Sequence, residues 1–151
     1  MHTTKRSIAI KAITFLLLVA MLCPVGAFAS ESRASYYLSS YTAYVYPSGW
    51  GNVEVYFNVV GTNDMDEIGA LDIKLYESKD NETWSWVKTY TYNNYSGMLG
   101  YDDYTHAGHV EYDGTIGRYY KAYVCVWAGK DGAGDTRYFW TPAVKATLFA
   151  G

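Results

Sequence analysis

Residues Gly117–Gly132, GRYYKAYVCVWAGKDG, decide how the rest of the chain is read. From Tyr119 to Trp127 the side chains fall into two alternating sets: Tyr120, Ala122, Val124 and Val126, and between them Tyr119, Lys121, Tyr123, Cys125 and Trp127. A period of two is that of a β-strand with one face buried. Lys121 marks the outer set, because an unpaired ammonium is costly in a core. The outer face of this strand is then a row of aromatic rings interrupted by one cation and one thiol. Shielded by Tyr123 and Trp127 but not deeply buried, Cys125 is expected to act as a small apolar residue between rings.

The same period recurs on both sides of this strand. Ala34–Gly49 (ASYYLSSYTAYVYPSG) is a first strand stopped by Pro47, Ser48 and Gly49, and Asn52–Val60 is a second with Val53, Val55, Phe57 and Val59 inward. After a connection, Gly61–Ala70, the third strand spans Ala70–Ser78 with Leu71, Ile73 and Leu75 inward. Asp80 and Asn81 turn the chain into a fourth, Glu82–Tyr92. A long glycine-punctuated segment, Tyr92–Gly108, is expected to wrap a sheet edge before a short fifth strand at His109–Tyr112. The opening stretch supplies the sixth strand, and Thr136–Leu148 the seventh after the turn Lys130–Asp135. Seven short strands with turn signals at close intervals predict an all-β, two-sheet antiparallel sandwich.

Upstream of these strands, Met1–Ala29 has a basic start at Lys5, Arg6 and Lys11, an apolar run from Ala12 to Cys23, and Ala27-Phe28-Ala29 as a small-x-small cleavage site. It reads as a secretory signal peptide cleaved after Ala29, too short in its apolar run to span a bilayer. The exported part, residues 30–151, fits one domain. Loss of the three leader cations takes the formal charge from −3 to −6, which disfavours binding of nucleic acid through a basic patch. Cys23 leaves with the leader, so Cys125 has no partner for an internal disulfide. Stability must come from packing, and all 17 tyrosines and five tryptophans lie in the exported part.

Two resemblances are carried by particular residues. Leu75–Tyr90, LYESKDNETWSWVKTY, resembles the C to C′ hairpin of immunoglobulin-like and fibronectin-type modules, and Asp113–Trp127, DGTIGRYYKAYVCVW, resembles their F strand. The second match implies that Tyr120 is a corner tyrosine whose hydroxyl bonds nearby backbone. There is no cysteine pair to bridge two sheets, a departure from antibody-type domains. Across nearly the whole exported part, from Arg33–Gly49 through Met65–Ser78 and Ser96–Thr141, the chain is also similar to a family of small secreted proteins of unknown function from anaerobic Gram-positive bacteria. That resemblance implies export and a single domain, and carries over no catalytic residues.

The candidate functional residues follow from the outer face. Tyr119, Tyr123 and Trp127, with Tyr76 on the third strand and Trp140 on the last, form a candidate binding surface that some of Trp84, Trp86 and Tyr90 on the fourth, and Tyr138 or Phe139 on the last, could extend. Flat amphipathic rings that cost little entropy to hold suit sugar rings or a protein partner; cross-strand pairing that only stabilises the sheet is the alternative. His106 and His109, with Asp102 and Asp103, have the ligand chemistry of a zinc-type site but not the helical register of a zinc-protease motif. Asn63–Glu67 (NDMDE) offers clustered oxygens without the spacing of a calcium loop. No cofactor motif is present in the sequence. The expected function is a non-catalytic extracellular binding or adhesion module for glycan, cell envelope or protein. The alternatives are a small secreted hydrolase using Cys125 or the His106 and His109 region, and a self-associating structural protein.

Overall fold

The computed structural model describes residues 35–151. The leader expected at residues 1–29, with Cys23, lies outside the described residues. Among the described residues there are seven strands and no helix: β1 Leu38–Gly49, β2 Asn52–Ser78, β3 Ser85–Thr91, β4 Leu99–Tyr112, β5 Tyr119–Lys130, β6 Ala133–Trp140 and β7 Val144–Lys145. Every pairing is antiparallel, and hydrogen bonds join all seven strands into one sheet that curls into a half-barrel.

The sheet is organised by β2, which runs unbroken for 27 residues through the segment Gly61–Ala70 that reads as a connection in the sequence. Its first half, Asn52–Gly61, lies between β1 and the second half of β4. Its second half, Glu67–Ser78, has β5 on one side and, on the other, the start of β4 along Glu67–Gly69 and then β3 along Asp72–Glu77. At the bend four residues of β2, Gly61–Asp64, face the single residue Tyr104 of β4, between the pairs Val60↔Thr105 and Met65↔Asp103. A bulge of this kind bends a strand without ending its ladder, and Met65 is buried under the bend. The glycine-punctuated segment expected to wrap an edge supplies most of β4, which is longer than His109–Tyr112 because it follows β2 around the same bend.

The inward sets are those that alternation selects. Val53, Val55, Phe57, Val59, Ile73, Leu75, Tyr120, Ala122, Val124 and Val126 are all buried in one core. Leu71 is an exception: a register shift between Ala70 and Asp72 makes it the extra residue, so Ala70 takes the core position and Leu71 is only half-buried. Tyr120 behaves as a corner tyrosine. Its hydroxyl accepts a hydrogen bond from the Thr115 backbone N–H (2.9 Å) and donates to Glu77 (2.6 Å), which also holds Arg118 at 3.2 Å.

Turn chemistry closes the hairpins. Between β5 and β6, Asp131 and Gly132 both have positive φ (53° and 76°), the two-residue turn whose twist suits a hairpin. Between β2 and β3, Ser78 Oγ accepts from Asn81 N–H, and Asp80 Oδ1 accepts from Glu82 and Thr83 N–H. The expected seventh strand is divided into β6 and β7 around Pro142, which has no N–H to donate to a ladder.

Candidate aromatic recognition face

Cys125 is fully buried, at 0% exposure. This corrects the partial shielding expected of an outward residue. It stands between Asp72 of β2 and Tyr138 of β6 in the ladder, and these neighbours together with the adjoining rings close over the small thiol. Burial pushes its pKa up, opposed by the Tyr138 hydroxyl and reinforced by the Asp72 carboxylate. A nucleophilic thiol needs the opposite, a lowered pKa and access.

Three of the five expected binding residues meet. Tyr76 and Trp140 have ring centroids 5.1 Å apart, and Tyr123 lies 4.9 Å from Trp140 and 5.8 Å from Tyr138. The pairing Tyr123↔Trp140 between β5 and β6 and the pairing Tyr76↔Lys121 between β2 and β5 bring these rings side by side. The Lys121 ammonium sits 4.2 Å from the Trp84 ring and 4.6 Å from Trp140, a cation held between two indoles. Trp140 and Tyr138 remain 48% and 56% exposed, so this platform is open to solvent. Trp86, paired with Tyr76 across the β2–β3 ladder, extends it.

The other two stand apart. Tyr119 lies at the start of β5, with the Lys145 ammonium 5.3 Å from its ring. Trp127 shares the outer face of β5 with Tyr123 but lies four residues, about 13 Å, further along it, and its ring covers Gly129 and Gly134.

The histidines do not form a centre. His106 faces the concave side, 6.0 Å from the Phe57 ring, with Nε2 2.8 Å from the Gly97 carbonyl. His109 is on the opposite face, stacked 5.2 Å from Tyr56, with Glu111 at 3.5 Å. They are offset by three positions along the strand, an odd number, so their side chains point to opposite sides. Asp103 accepts a bond from Thr105 N–H, and Asp102 sits at positive φ beside it. In Asn63–Glu67, Met65 points into the core and Asp66 accepts the Asp131 N–H at 2.7 Å. Among the described residues no three His, Cys, Asp or Glu side chains converge as metal ligands.

A second ring ladder, Tyr44–Tyr56–His109, crosses the outer face of β1, β2 and β4 with centroids 5.3 and 5.2 Å apart. Tyr44 and Tyr56 alternate with the core residues Val45 and Val55, so their outward direction is legible in the sequence; that they meet depends on the β1–β2 register. Lys121 between Trp84 and Trp140 could not be read either, since the two indoles lie on different hairpins. No protein-family model and no curated protein matches the chain.

Proposed function

We propose that the chain is a secreted, non-catalytic recognition or adhesion module that uses the platform of Tyr76, Tyr123, Tyr138 and Trp140, with Lys121 and Trp84, against a glycan, a cell envelope or a protein. The observation that carries this reading is the open cluster of rings on one sheet face with a cation seated in it. Rings serving only as sheet glue need not stay half-exposed, and each ring of a recognition surface offers a large apolar area with little entropy left to lose. Export follows from the leader pattern, and the small secreted bacterial proteins that the chain resembles have the same layout.

The immunoglobulin-like or fibronectin-like sandwich is the fold we assign to this module. Support comes from strand order: β1, the first half of β2 and β4 correspond to one layer, and β3, the second half of β2, β5 and β6 to the other, with the usual B and C strands run together as β2. The corner tyrosine bond of Tyr120 supports the same assignment.

Binding of the purified protein to arrays of bacterial and host glycans and to whole envelopes, with Trp140→Ala and Tyr123→Ala beside the wild type, tests the reading. Loss of binding in both variants with an unchanged fold supports it; undiminished binding in both sinks it. The hydrolase alternative is weakened by the burial of Cys125 and by the opposed histidines. Self-association keeps one favourable observation, since the outer edge of β4 along Thr105–Tyr112 pairs with no other described strand.

A further inference from the structure

Trp127 occupies a cleft of its own, of about 460 Å³, with Tyr101, Glu67, Asp66 and Lys130 around it. The floor is built for a flat ring. A Cβ on Gly129 would come within 2.4 Å of Trp127 Cζ2, and one on Gly134 within 2.4 Å of Cη2, so only glycine at both positions lets the indole lie down on the sheet. The wall is Tyr101 of β4, 62% exposed, brought to the same face because Glu67 of β2 pairs with Tyr101 on one side and Gly129 on the other. Lying down leaves Trp127 Nε1 buried without a hydrogen-bond partner. An orphaned buried donor is costly, and proteins keep such a breach of the packing rules at functional or strained positions.

The rim decides the occupant. Asp66 is engaged by the Asp131 N–H and Lys130 reaches the Asp64 carbonyl at 2.9 Å, which holds the β5–β6 turn against the bend of β2. Glu67 stands between floor and wall as a hydrogen-bond acceptor. Two carboxylates against one ammonium give the cleft a negative balance, which repels an anionic ligand. From this geometry we infer that the Trp127–Tyr101 cleft is a subsite for one pyranose ring of a neutral glycan, stacked on Trp127, flanked by Tyr101 and hydrogen-bonded through a hydroxyl to Glu67. A pyranose ring has this dual character: an apolar C–H face for the indole and a rim of hydroxyl donors for the carboxylate. The inference deepens the recognition reading and rests on it, naming neutral glycan as the ligand class at a place separate from the Tyr123–Trp140 platform.

Indole N–H signals report each tryptophan separately in ¹⁵N-labelled protein, with Trp127 assigned by Trp127→Phe. The probes are cellohexaose and chitohexaose as neutral chains and hexagalacturonate as an anionic one, each titrated to millimolar concentration into wild type, Tyr101→Ala and Trp140→Ala. A saturable shift of the Trp127 signal with at least one neutral probe is expected, with Kd raised about tenfold or more by Tyr101→Ala, the loss of roughly 1.4 kcal/mol. Gly134→Ala, which displaces the indole from its seat, gives the same loss without removing a ring. Shifts confined to Trp84 and Trp140 and abolished by Trp140→Ala overturn the subsite and leave the platform standing. A Trp127 shift produced by hexagalacturonate alone, or one indifferent to Tyr101→Ala, overturns it as well. No shift of any indole with either neutral probe overturns it too, while envelope and protein ligands still test the platform.

Discussion

At the scale of single residues, Cys125 and Tyr120 show how a strand pattern becomes chemistry. Parity sets Cys125 on the face opposite Val124 and Val126; its complete burial there comes from the residues facing it across two ladders, Asp72 and Tyr138, which no spacing within β5 reveals. The thiol should therefore be inert. In the native protein, modification by an aromatic disulfide reagent at pH 8 is expected to proceed only through unfolding, and electrophoresis with and without reductant to give the same mass. Rapid native labelling, or a reducible dimer, would contradict this placement. Tyr120 carries a different prediction. Burial, and then its bond to Glu77, push its pKa up from 10.0 to about 12, so the folded state holds the proton more tightly than the unfolded chain. The stabilisation is complete below about pH 10 and is lost as pH rises toward 12. Tyr120→Phe should cost about 1–3 kcal/mol at neutral pH, because Thr115 N–H and Glu77 each lose a partner, and should make the alkaline fall in denaturation midpoint shallower. An unchanged alkaline limb would mean that other tyrosines, such as Tyr90, govern it.

At the scale of elements, most of what the sequence declares is local. The inward sets of β2, Leu71 apart, and of β5, a turn within Lys130–Asp135 and the Asp80 turn are legible because side-chain period and turn chemistry are short-range properties; that the first of these turns is only Asp131 and Gly132, with β6 starting at Ala133, is not. The continuity of β2 is not legible, because Gly61–Ala70 carries the glycine and acidic residues of a loop, and pairing with β4 and β5 beyond the bulge keeps it extended. The extent of β4 was hidden for the same reason. The Asp80 turn is testable by acid. The backbone N–H groups of Thr83 and Glu82, then the Ser78 hydroxyl, hold the Asp80 carboxyl below the usual range; at Asp135 the Ser35 hydroxyl and the N–H groups of Tyr37 and Tyr36 do the same. Both carboxylates contribute stability that is fully present above an unfolded pKa of about 4 and lost as pH falls below it. Asp80→Asn and Asp135→Asn should each lower the melting temperature at pH 7 and narrow the difference between pH 7 and pH 3. A variant that melts like wild type at both pH values would show that the Asp80 turn, or the Ser35–Tyr37 segment held by Asp135, does not depend on the carboxylate.

For the whole molecule, the candidate site was half legible. Alternation along β2 and β5 was enough to aim Tyr76, Tyr123 and Trp127 outward, but the grouping of rings depends on register between strands distant in sequence. That register gathers Tyr76, Tyr123 and Trp140, leaves Tyr119 with Lys145, and sends Trp127 to a separate cleft. The open edge of β4 supplies a further prediction at this scale. If its unpaired backbone groups join two copies, sedimentation should show a concentration-dependent dimer that Ala107→Pro abolishes; a single monomeric species at all concentrations removes self-association. The most direct test of the recognition surface is the dissociation constant for a ligand captured from glycan and envelope arrays, measured for wild type and for Trp140→Ala, with the fold of each confirmed by its near-ultraviolet dichroism and melting temperature. A rise of about tenfold or more, as expected for removing one central aromatic anchor worth over 1 kcal/mol, is the predicted result; an affinity unchanged by the loss of Trp140 would contradict the platform as the binding surface.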